Sequence, residues 1–114
     1  MKVIFLDIDG VLNDEEFNET TEYVAPYPSL EWWAEGLDPK KVHLLNGLIR
    51  STDSVVVVSS TWRLGKTVEE MQAILEIGGF DGDIVGMTPI MSDAPRGIEI
   101  STWLDHHPEV SKFV

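Results

Sequence analysis

The sequence predicts an α/β fold built around a mainly parallel sheet. Two short apolar runs without polar alternation, residues 3–6 and 55–58, are typical of strands that are covered on both faces. Segments with helix-capping signals and helical spacing of apolar residues follow these runs. A chain of 114 residues is long enough for one domain of this kind and too short for a second.

The first apolar run leads directly into two carboxylates. Asp7 and Asp9 are separated by one residue, so their side chains point the same way from an extended chain, and Gly10 marks a sharp turn after them. Paired carboxylates beside an apolar strand repel each other and lose solvation, so a cation must offset their charge. Magnesium suits this role because it is commonly held by one or two carboxylates and a substrate phosphate. The pattern predicts a Mg²⁺ site at Asp7 and Asp9.

Two other interpretations of this stretch are an acidic exit loop without a function and a calcium-binding loop. The first is disfavoured because perturbed carboxylate pairs cluster at functional sites. The helix-loop-helix calcium site is excluded, since Leu12 stands where that loop requires a glycine and Asn18 where it requires a glutamate.

Residues 13–37 form an acidic and aromatic segment without clear periodicity. Pro26 and Pro28 prevent a long helix, and the many aromatic residues argue against disorder. We therefore expect a flap or hairpin that leans over the end of the first strand. Trp32 and Trp33 are candidates for substrate contact, and packing at the edge of the core is an equally good interpretation of them.

Three helices and two further strands are expected along the rest of the chain. The first helix begins at Asp38 and Pro39, the second at a capping box formed by Thr67 and Glu70, and the third after Pro95. Residues 84–87 and 112–114 are candidate strands. The predicted buried positions of the first helix are Val42, Leu45, Leu48 and Ile49.

Polar residues lie where the second strand ends and where the third helix begins. Ser59 and Ser60 follow the strand, at the edge where open α/β sheets bind ligands, and Ser59 is the stronger candidate for ligand contact. Helix capping by these hydroxyls is the other interpretation, and both uses can coexist. Arg96 stands in the first turn of the last helix, where its charge opposes the helix dipole. This penalty suggests that Arg96 binds an anion, with a salt bridge to a nearby acid as the alternative.

Charge and composition restrict the functions that are open to the chain. The formal net charge of −12, from 20 acidic and 8 basic residues, opposes extended contact with nucleic acid or an anionic membrane. An anionic substrate must therefore be captured locally. The absence of cysteine excludes disulfides and a thiolate zinc site. Because the chain has neither a signal-peptide pattern nor an apolar run of membrane-spanning length, we expect a cytoplasmic protein without membrane contact.

Three motifs give the chain a resemblance to a known family. The string Asp7-Ile8-Asp9-Gly10-Val11-Leu12 ends the first strand, Ser59 ends the second, and Arg96 opens a later helix. In this combination the chain resembles the haloacid dehalogenase-like (HAD) phosphohydrolase superfamily. The strings Ser59-Ser60-Thr61-Trp62-Arg63 and Arg96-Gly97-Ile98-Glu99-Ile100 are similar to small HAD domains of bacterial and phage nucleic-acid repair proteins. The resemblance implies a Rossmann-like three-layer sandwich with a minimal cap, formed by residues 13–37.

The resemblance also implies roles for individual residues. Asp7 would be the nucleophile that forms an aspartyl-phosphate and would bind Mg²⁺. Asp9 would protonate the leaving oxygen, deprotonate the attacking water and bind the metal through its backbone carbonyl. Ser59 would hydrogen-bond the transferring phosphoryl group, and Arg96 would neutralise its charge. The residues expected to contact the substrate around this centre are Gly10, Ser60, Arg63, Trp32 and Trp33.

The chain departs from the family pattern in its fourth motif, a further pair of acids after the next strand. The candidate strand at residues 112–114 ends the sequence before such acids appear. We expect that the chain lacks the last strand and this motif; substitution by Asp81, Asp83 or Asp93 and weak magnesium binding are the alternatives.

The expected activity is Mg²⁺-dependent hydrolysis of a phosphomonoester, in which the substrate is a phosphorylated small molecule or a nucleotide or polynucleotide end. A weakly active or inactive HAD-fold binding or assembly module is the alternative, and phosphotransfer through the same intermediate is not separable from hydrolysis by sequence.

Overall fold

Four parallel strands form the centre of the fold, and five α-helices flank them. The computed structural model describes residues 1–114. A single 3-10 turn over Thr61–Arg63 follows the second strand. The elements in chain order are β1 (Lys2–Leu6), α1 (Glu15–Thr20), α2 (Leu30–Glu35), α3 (Pro39–Thr52), β2 (Ser54–Val58), α4 (Val68–Ile77), β3 (Ile84–Met87), α5 (Arg96–Asp105) and β4 (Lys112–Phe113).

The strands are ordered β3-β2-β1-β4 across the sheet, and every neighbouring pair is parallel. The chain moves outward from β1 through β2 to β3 and then returns over the sheet to place β4 on the other side of β1. The strand order therefore reverses next to β1. Open α/β sheets bind ligands at such a reversal, outside the carboxyl ends of the strands. The topology directs attention to the residues that follow Leu6.

Alternation along the strands divides the core into two layers. Ile4, Leu6, Val56 and Val58 face a cluster of 17 buried residues that includes the apolar sides of α3 and α4. On the opposite face, Val3 and Val57 pack with Trp103 of α5. Helices thus cover both faces, which confirms the predicted α/β three-layer arrangement with a parallel sheet.

The predicted helix starts are also confirmed. The Asp38 carboxylate accepts a hydrogen bond from Lys40 N at the start of α3, and Thr67 and Glu70 form both hydrogen bonds of a capping box at the start of α4. Leu48 was expected in the buried stripe of α3 but is 48% exposed, because it lies beyond the edge of the stripe that faces the sheet. None of the helices is both long and apolar enough to cross a membrane.

Residues 13–37 contain two short helices, α1 and α2, and no hairpin. The segment leaves and rejoins the domain at one point, where Asp38 N donates to Leu12 O at 2.7 Å. Beside this point the Asn13 side-chain amide donates to Gly36 O at 3.1 Å. Both ends of the segment are thus tied together at the exit of β1, next to the turn that carries Asp9.

Candidate active site

A tight turn follows β1 and fixes the two aspartates. Ile8 is fully buried, and its carbonyl accepts hydrogen bonds from both Val11 N and Leu12 N, at 3.1 and 2.8 Å. Gly10 has a φ of +83°, a conformation that residues with a Cβ rarely adopt. With Ile8 anchored in the core, Asp7 and Asp9 on either side of it extend towards the surface at the switch point of the sheet.

Asp7 forms an ion pair with Arg96. The distance between Arg96 Nη1 and Asp7 Oδ2 is 2.7 Å, and both side chains are partly open to solvent. Arg96 is the first residue of α5, the helix that packs on the face of the sheet with Val3 and Val57. The start of this helix places Arg96 at the end of β1. No other protein group hydrogen-bonds the Asp7 carboxylate, which leaves Oδ1 free. The structure thus brings together a carboxylate and a cation that are 89 residues apart in the sequence.

Asp9 is held through one oxygen of its carboxylate. The indole Nε1 of Trp62 donates to Asp9 Oδ1 at 3.1 Å, and Asn13 Nδ2 donates to the same oxygen at 3.2 Å. Asn13 also accepts a hydrogen bond from Gly10 N, which ties the carboxylate to its own turn. Because Oδ2 makes no hydrogen bond with the protein, it is open to a ligand while Oδ1 keeps the group in its orientation.

The two serines after β2 are buried. Ser59 N and Ser59 Oγ both donate to Leu6 O, at 2.9 and 3.3 Å, so Ser59 is anchored directly beside the residue that precedes Asp7. The hydroxyl of Ser60 accepts a hydrogen bond from Trp62 N and caps the 3-10 turn. Ser60 thus has the capping role that was one interpretation of these hydroxyls, and the substrate contact expected for it stays a prediction. The phosphate contact expected for Ser59 stays a prediction.

Arg63 lies inside the protein instead of at the substrate position that was expected for it. The residue is 5% exposed, and every N–H of its guanidinium has a protein acceptor. One of these acceptors is Glu99 Oε2 on α5, at 2.9 Å. Burying a guanidinium without such partners is costly, which explains why it uses all its donors internally. The acceptors are Ser59 O, Ser60 O, Thr88 O, Pro89 O and Glu99 Oε2.

Trp32 and Trp33 lie on α2, next to the Asp9 turn. The Trp33 ring is 5.1 Å from the Trp62 ring, and the Trp32 ring is 5.3 Å from that of Trp33. Lys66 Nζ lies 3.4 Å from the centroid of the Trp33 ring and donates to Trp62 O. Burial lowers the pKa of Lys66 from its ordinary value of 10.5, and the nearby Glu70 carboxylate acts in the opposite direction. Trp33 packs against the core, as one interpretation expected, and substrate contact by Trp32 and Trp33 stays a prediction.

The oxygens near Asp7 fit a magnesium ion in part. Asp7 Oδ1 and the backbone carbonyl of Asp9 accept no hydrogen bond from the protein. Two hard oxygens, with water and phosphate in the other positions, form a set that Mg²⁺ accepts. No group of three or more acidic, histidine or cysteine side chains is arranged around a metal position. Of the suggested substitutes, Asp81 pairs with Arg50 and Asp83 directly precedes β3, so both lie at the amino ends of the strands. A metal-binding role for Asp93, three residues before Arg96, stays a prediction.

Three residues of this network were not predicted from the sequence. Asn13 and Trp62 orient Asp9, and Glu99 connects α5 to the buried guanidinium of Arg63. The signal for Glu99 was a charged residue between two isoleucines, Ile98 and Ile100. Asn13 carried a weaker signal, since asparagine favours turns. Nothing in the sequence distinguished the indole N–H of Trp62 as a donor to Asp9.

The parallel sheet, the aspartate-bearing turn at its switch point and the arginine that opposes it together define a HAD-like domain. Comparison with protein families agrees with this class. The chain belongs to the family described as the HAD domain in Swiss Army Knife RNA repair proteins, whose model matches residues 3–114. No match was found among curated proteins or among solved structures.

Proposed function

We propose that this domain hydrolyses phosphomonoesters in a Mg²⁺-dependent reaction through a covalent phosphate on Asp7. The observation that carries the proposal is the 2.7 Å pair between Asp7 and Arg96 at the switch point of the sheet. A nucleophilic carboxylate next to a cation is what phosphoryl transfer requires, because the reaction depends on positioning and on neutralising the charge of the phosphate.

In the first step, the phosphate group of the substrate binds between Asp7 and Arg96. The anionic phosphate oxygens attract Arg96 away from the carboxylate, and the freed Asp7 oxygen attacks phosphorus. A bond forms between Asp7 and phosphorus while the bond from phosphorus to the ester oxygen breaks. Asp9 donates its proton to that leaving oxygen, which departs as an alcohol. Ser59 hydrogen-bonds a non-bridging phosphate oxygen during the transfer.

In the second step, Asp9 acts in the reverse direction. Its carboxylate, now deprotonated, takes a proton from a water molecule, whose oxygen attacks phosphorus. The bond between phosphorus and Asp7 breaks, and inorganic phosphate is released. Trp62 and Asn13 occupy the other oxygen of Asp9 throughout, so the free oxygen faces the leaving group and the water in turn.

A bound Mg²⁺ would neutralise phosphate charge and fix the orientation of the phosphate group. The residues that would hold it are Asp7, through its carboxylate, and Asp9, through its backbone carbonyl. Arg96 supplies further positive charge at this site. Because the chain is strongly acidic overall, an anion would be captured locally, next to Arg96.

The proposed substrate is the phosphorylated end of a nucleotide or polynucleotide. The family description refers to RNA repair proteins, which supports a nucleic-acid substrate. The net charge of −12 supports contact with an end rather than with a long stretch of nucleic acid, because the surface would repel an extended polyanion.

The test is phosphate release from a simple aryl phosphate with and without Mg²⁺, for the natural chain, for Asp7→Asn and for Asp105→Asn. Asp105 is an exposed acid at the end of α5, without hydrogen bonds from its side chain, and serves as the matched control. We expect the Asp7 variant to lose activity by at least about 10³-fold and the control to retain it. Activity that is independent of metal or unaffected by Asp7→Asn would refute the assignment and leave the binding module as the alternative.

A further inference from the structure

Five aromatic side chains, here called the aromatic row, extend from Asp9 to the surface. The row begins at Trp62, whose indole N–H binds Asp9, and continues to Trp33 at a ring-centroid distance of 5.1 Å. The next distance, from Trp33 to Trp32, is 5.3 Å. Two tyrosine rings then lie against Trp32, Tyr23 at 4.9 Å and Tyr27 at 4.7 Å. The row therefore forms a continuous aromatic path that starts at the group proposed as the acid and base.

Packing accounts for the inner rings of the row and not for the outer ones. Trp62 belongs to the buried core, and Trp33 packs against that core. In contrast, Tyr23 is 43% exposed and Tyr27 is 71% exposed. Exposed aromatic rings in contact with one another are costly to leave in water, and they are common where a flat ligand stacks. The outer rings thus form a surface that is open to a ligand.

The charge near the row indicates which flat ligand would bind there. Lys66 Nζ lies over the Trp33 ring, and Arg96 pairs with Asp7, two residues before the Asp9 carboxylate that Trp62 binds. Both cations therefore belong to the inner end of the row, in a chain with only eight lysines and arginines. A ligand that carries phosphate groups at one end and aromatic groups along its length would match cations at the inner end and rings at the outer end. A single strand of nucleic acid has both features.

We propose that the aromatic row is a base-stacking subsite for the phosphorylated end of a single-stranded polynucleotide. The terminal phosphate lies between Asp7 and Arg96, and the bases that follow stack on Trp32 and Tyr27. Three ring-to-ring steps separate Tyr27 from Trp62, so the outer rings are reached by a strand of roughly two or more nucleotides rather than by a mononucleotide. This proposal rests on the proposed function only for the position of the terminal phosphate.

The experiment compares two phosphorylated strands of equal length, one with bases and one with abasic residues, so that backbone charge is the same. Phosphate release is measured for the natural chain, Tyr27→Leu, Tyr27→Phe and Phe113→Leu. Leucine keeps apolar contact with Trp32 but cannot stack, and phenylalanine keeps the ring. Phe113 is an exposed aromatic residue on β4, paired with Val3 at the other end of the sheet, and is the matched control. Circular dichroism verifies that each variant is folded.

We expect the natural chain to prefer the strand with bases, as measured by kcat/KM. The preference should fall about tenfold in Tyr27→Leu, the size expected for one lost stack, and should persist in Tyr27→Phe and Phe113→Leu. Equal kcat/KM for the two strands in the natural chain, or an unchanged preference in Tyr27→Leu, would overturn the subsite while leaving the phosphatase intact.

A separate binding measurement covers the case in which no strand is hydrolysed. Stacking of a base on Trp32 quenches tryptophan fluorescence, so the same two strands are titrated against the natural chain and Tyr27→Leu. Quenching by the strand with bases that weakens about tenfold in Tyr27→Leu supports the subsite even if the phosphatase assignment fails. The absence of quenching in the natural chain rejects it.

Discussion

The two faces of the sheet support the candidate site in different ways. One face packs on a cluster of 17 buried residues, and the other on a cluster of three. The larger cluster contains Ile8, which lies between the two aspartates, and Trp62, which binds Asp9. The smaller one contains Trp103 of α5, the helix that carries Arg96. The aspartates are therefore fixed by the main core, whereas their cationic partner depends on a much smaller apolar contact.

The small apolar contact of α5 is supplemented by a buried ion pair between Arg63 and Glu99. Glu99 Oε2 accepts hydrogen bonds from Arg63 Nη2 at 2.9 Å and from Met91 N at 3.0 Å, and thereby ties α5 to the strand ends. A helix held by few apolar contacts gains orientation from such directional bonds. Packing therefore positions the two aspartates, and a buried polar network positions Arg96. Changes on the two faces should consequently have separable effects.

Removing the hydrogen bonds of Glu99, on the side of the sheet with the smaller cluster, should have the largest effect. Glu99→Ala leaves the buried Arg63 guanidinium without its charged partner, and we expect a loss of about 3–5 kcal/mol in the free energy of unfolding. Glu99→Gln keeps an acceptor and should cost less, about 1–3 kcal/mol. In the folded fraction of the glutamine variant, phosphatase activity should fall because Arg96 is less well placed. Urea unfolding and activity assays measure the two effects, and full activity in Glu99→Gln would contradict the proposed positioning.

A cavity in the larger cluster should lower the stability of the fold without changing the catalytic activity. Ile74 of α4 is fully buried in the larger cluster. Ile74→Ala should reduce the free energy of unfolding by about 2–5 kcal/mol, because it removes apolar contacts and leaves a void. Activity per folded molecule should stay close to that of the natural chain. A loss of activity larger than the loss of folded protein would show that the two faces are not separable in this way.

Trp62→Phe tests the link between the larger face and Asp9. Phenylalanine retains most of the packing but cannot donate to Asp9 Oδ1, while Asn13 still can. We expect kcat to fall about tenfold, because the proton-transfer group is less restrained. An unchanged kcat would indicate that the indole contributes packing alone.

The smallest predicted effect concerns an exposed pair outside both clusters. A hydrogen bond from Lys41 and the backbone N–H of Phe17 hold the pKa of Asp14 below its ordinary value of 3.8. A carboxyl whose pKa is lowered by folding stabilises the protein above 3.8, and this contribution disappears as the pH falls through the folded-state pKa. Asp14→Asn keeps the N-cap of α1 and removes the charge. The variant should have a slightly lower Tm than the natural chain at pH 7 and the same Tm in strong acid; the reverse order would contradict the assignment.

Much of the fold was predictable because its signals are local. The apolar runs of β1 and β2, the Asp38 and Thr67 caps and the start of α5 at Arg96 were all confirmed. The family assignment also followed from short motifs, of which the Asp7 to Leu12 turn is the most specific. Such features depend on residues that are close in sequence, so a single chain carries enough information to find them.

The side-chain network was less predictable because its partners are far apart in the chain. Arg63 was expected to contact a substrate, and only the folded position of Glu99, 36 residues later, shows why its guanidinium is buried. The indole of Trp62 meets Asp9 across 53 residues. The two helices in residues 13–37 were missed since each is only six residues long and lacks a clear apolar stripe. The pairing of Asp7 with Arg96 could be anticipated, because the strand-end rule brings both to the same edge.

The proposed function depends on the acceptance of a phosphoryl group by Asp7 in the presence of a divalent cation. Beryllofluoride bound to a carboxylate resembles an aspartyl-phosphate, so its effect on thermal stability reports on this site directly. We expect Mg²⁺ and beryllofluoride together to raise the Tm of the natural chain by several degrees, neither to do so alone, and Asp7→Asn to abolish the shift. An equal shift in the natural chain and in Asp7→Asn, or no shift in either, would contradict it.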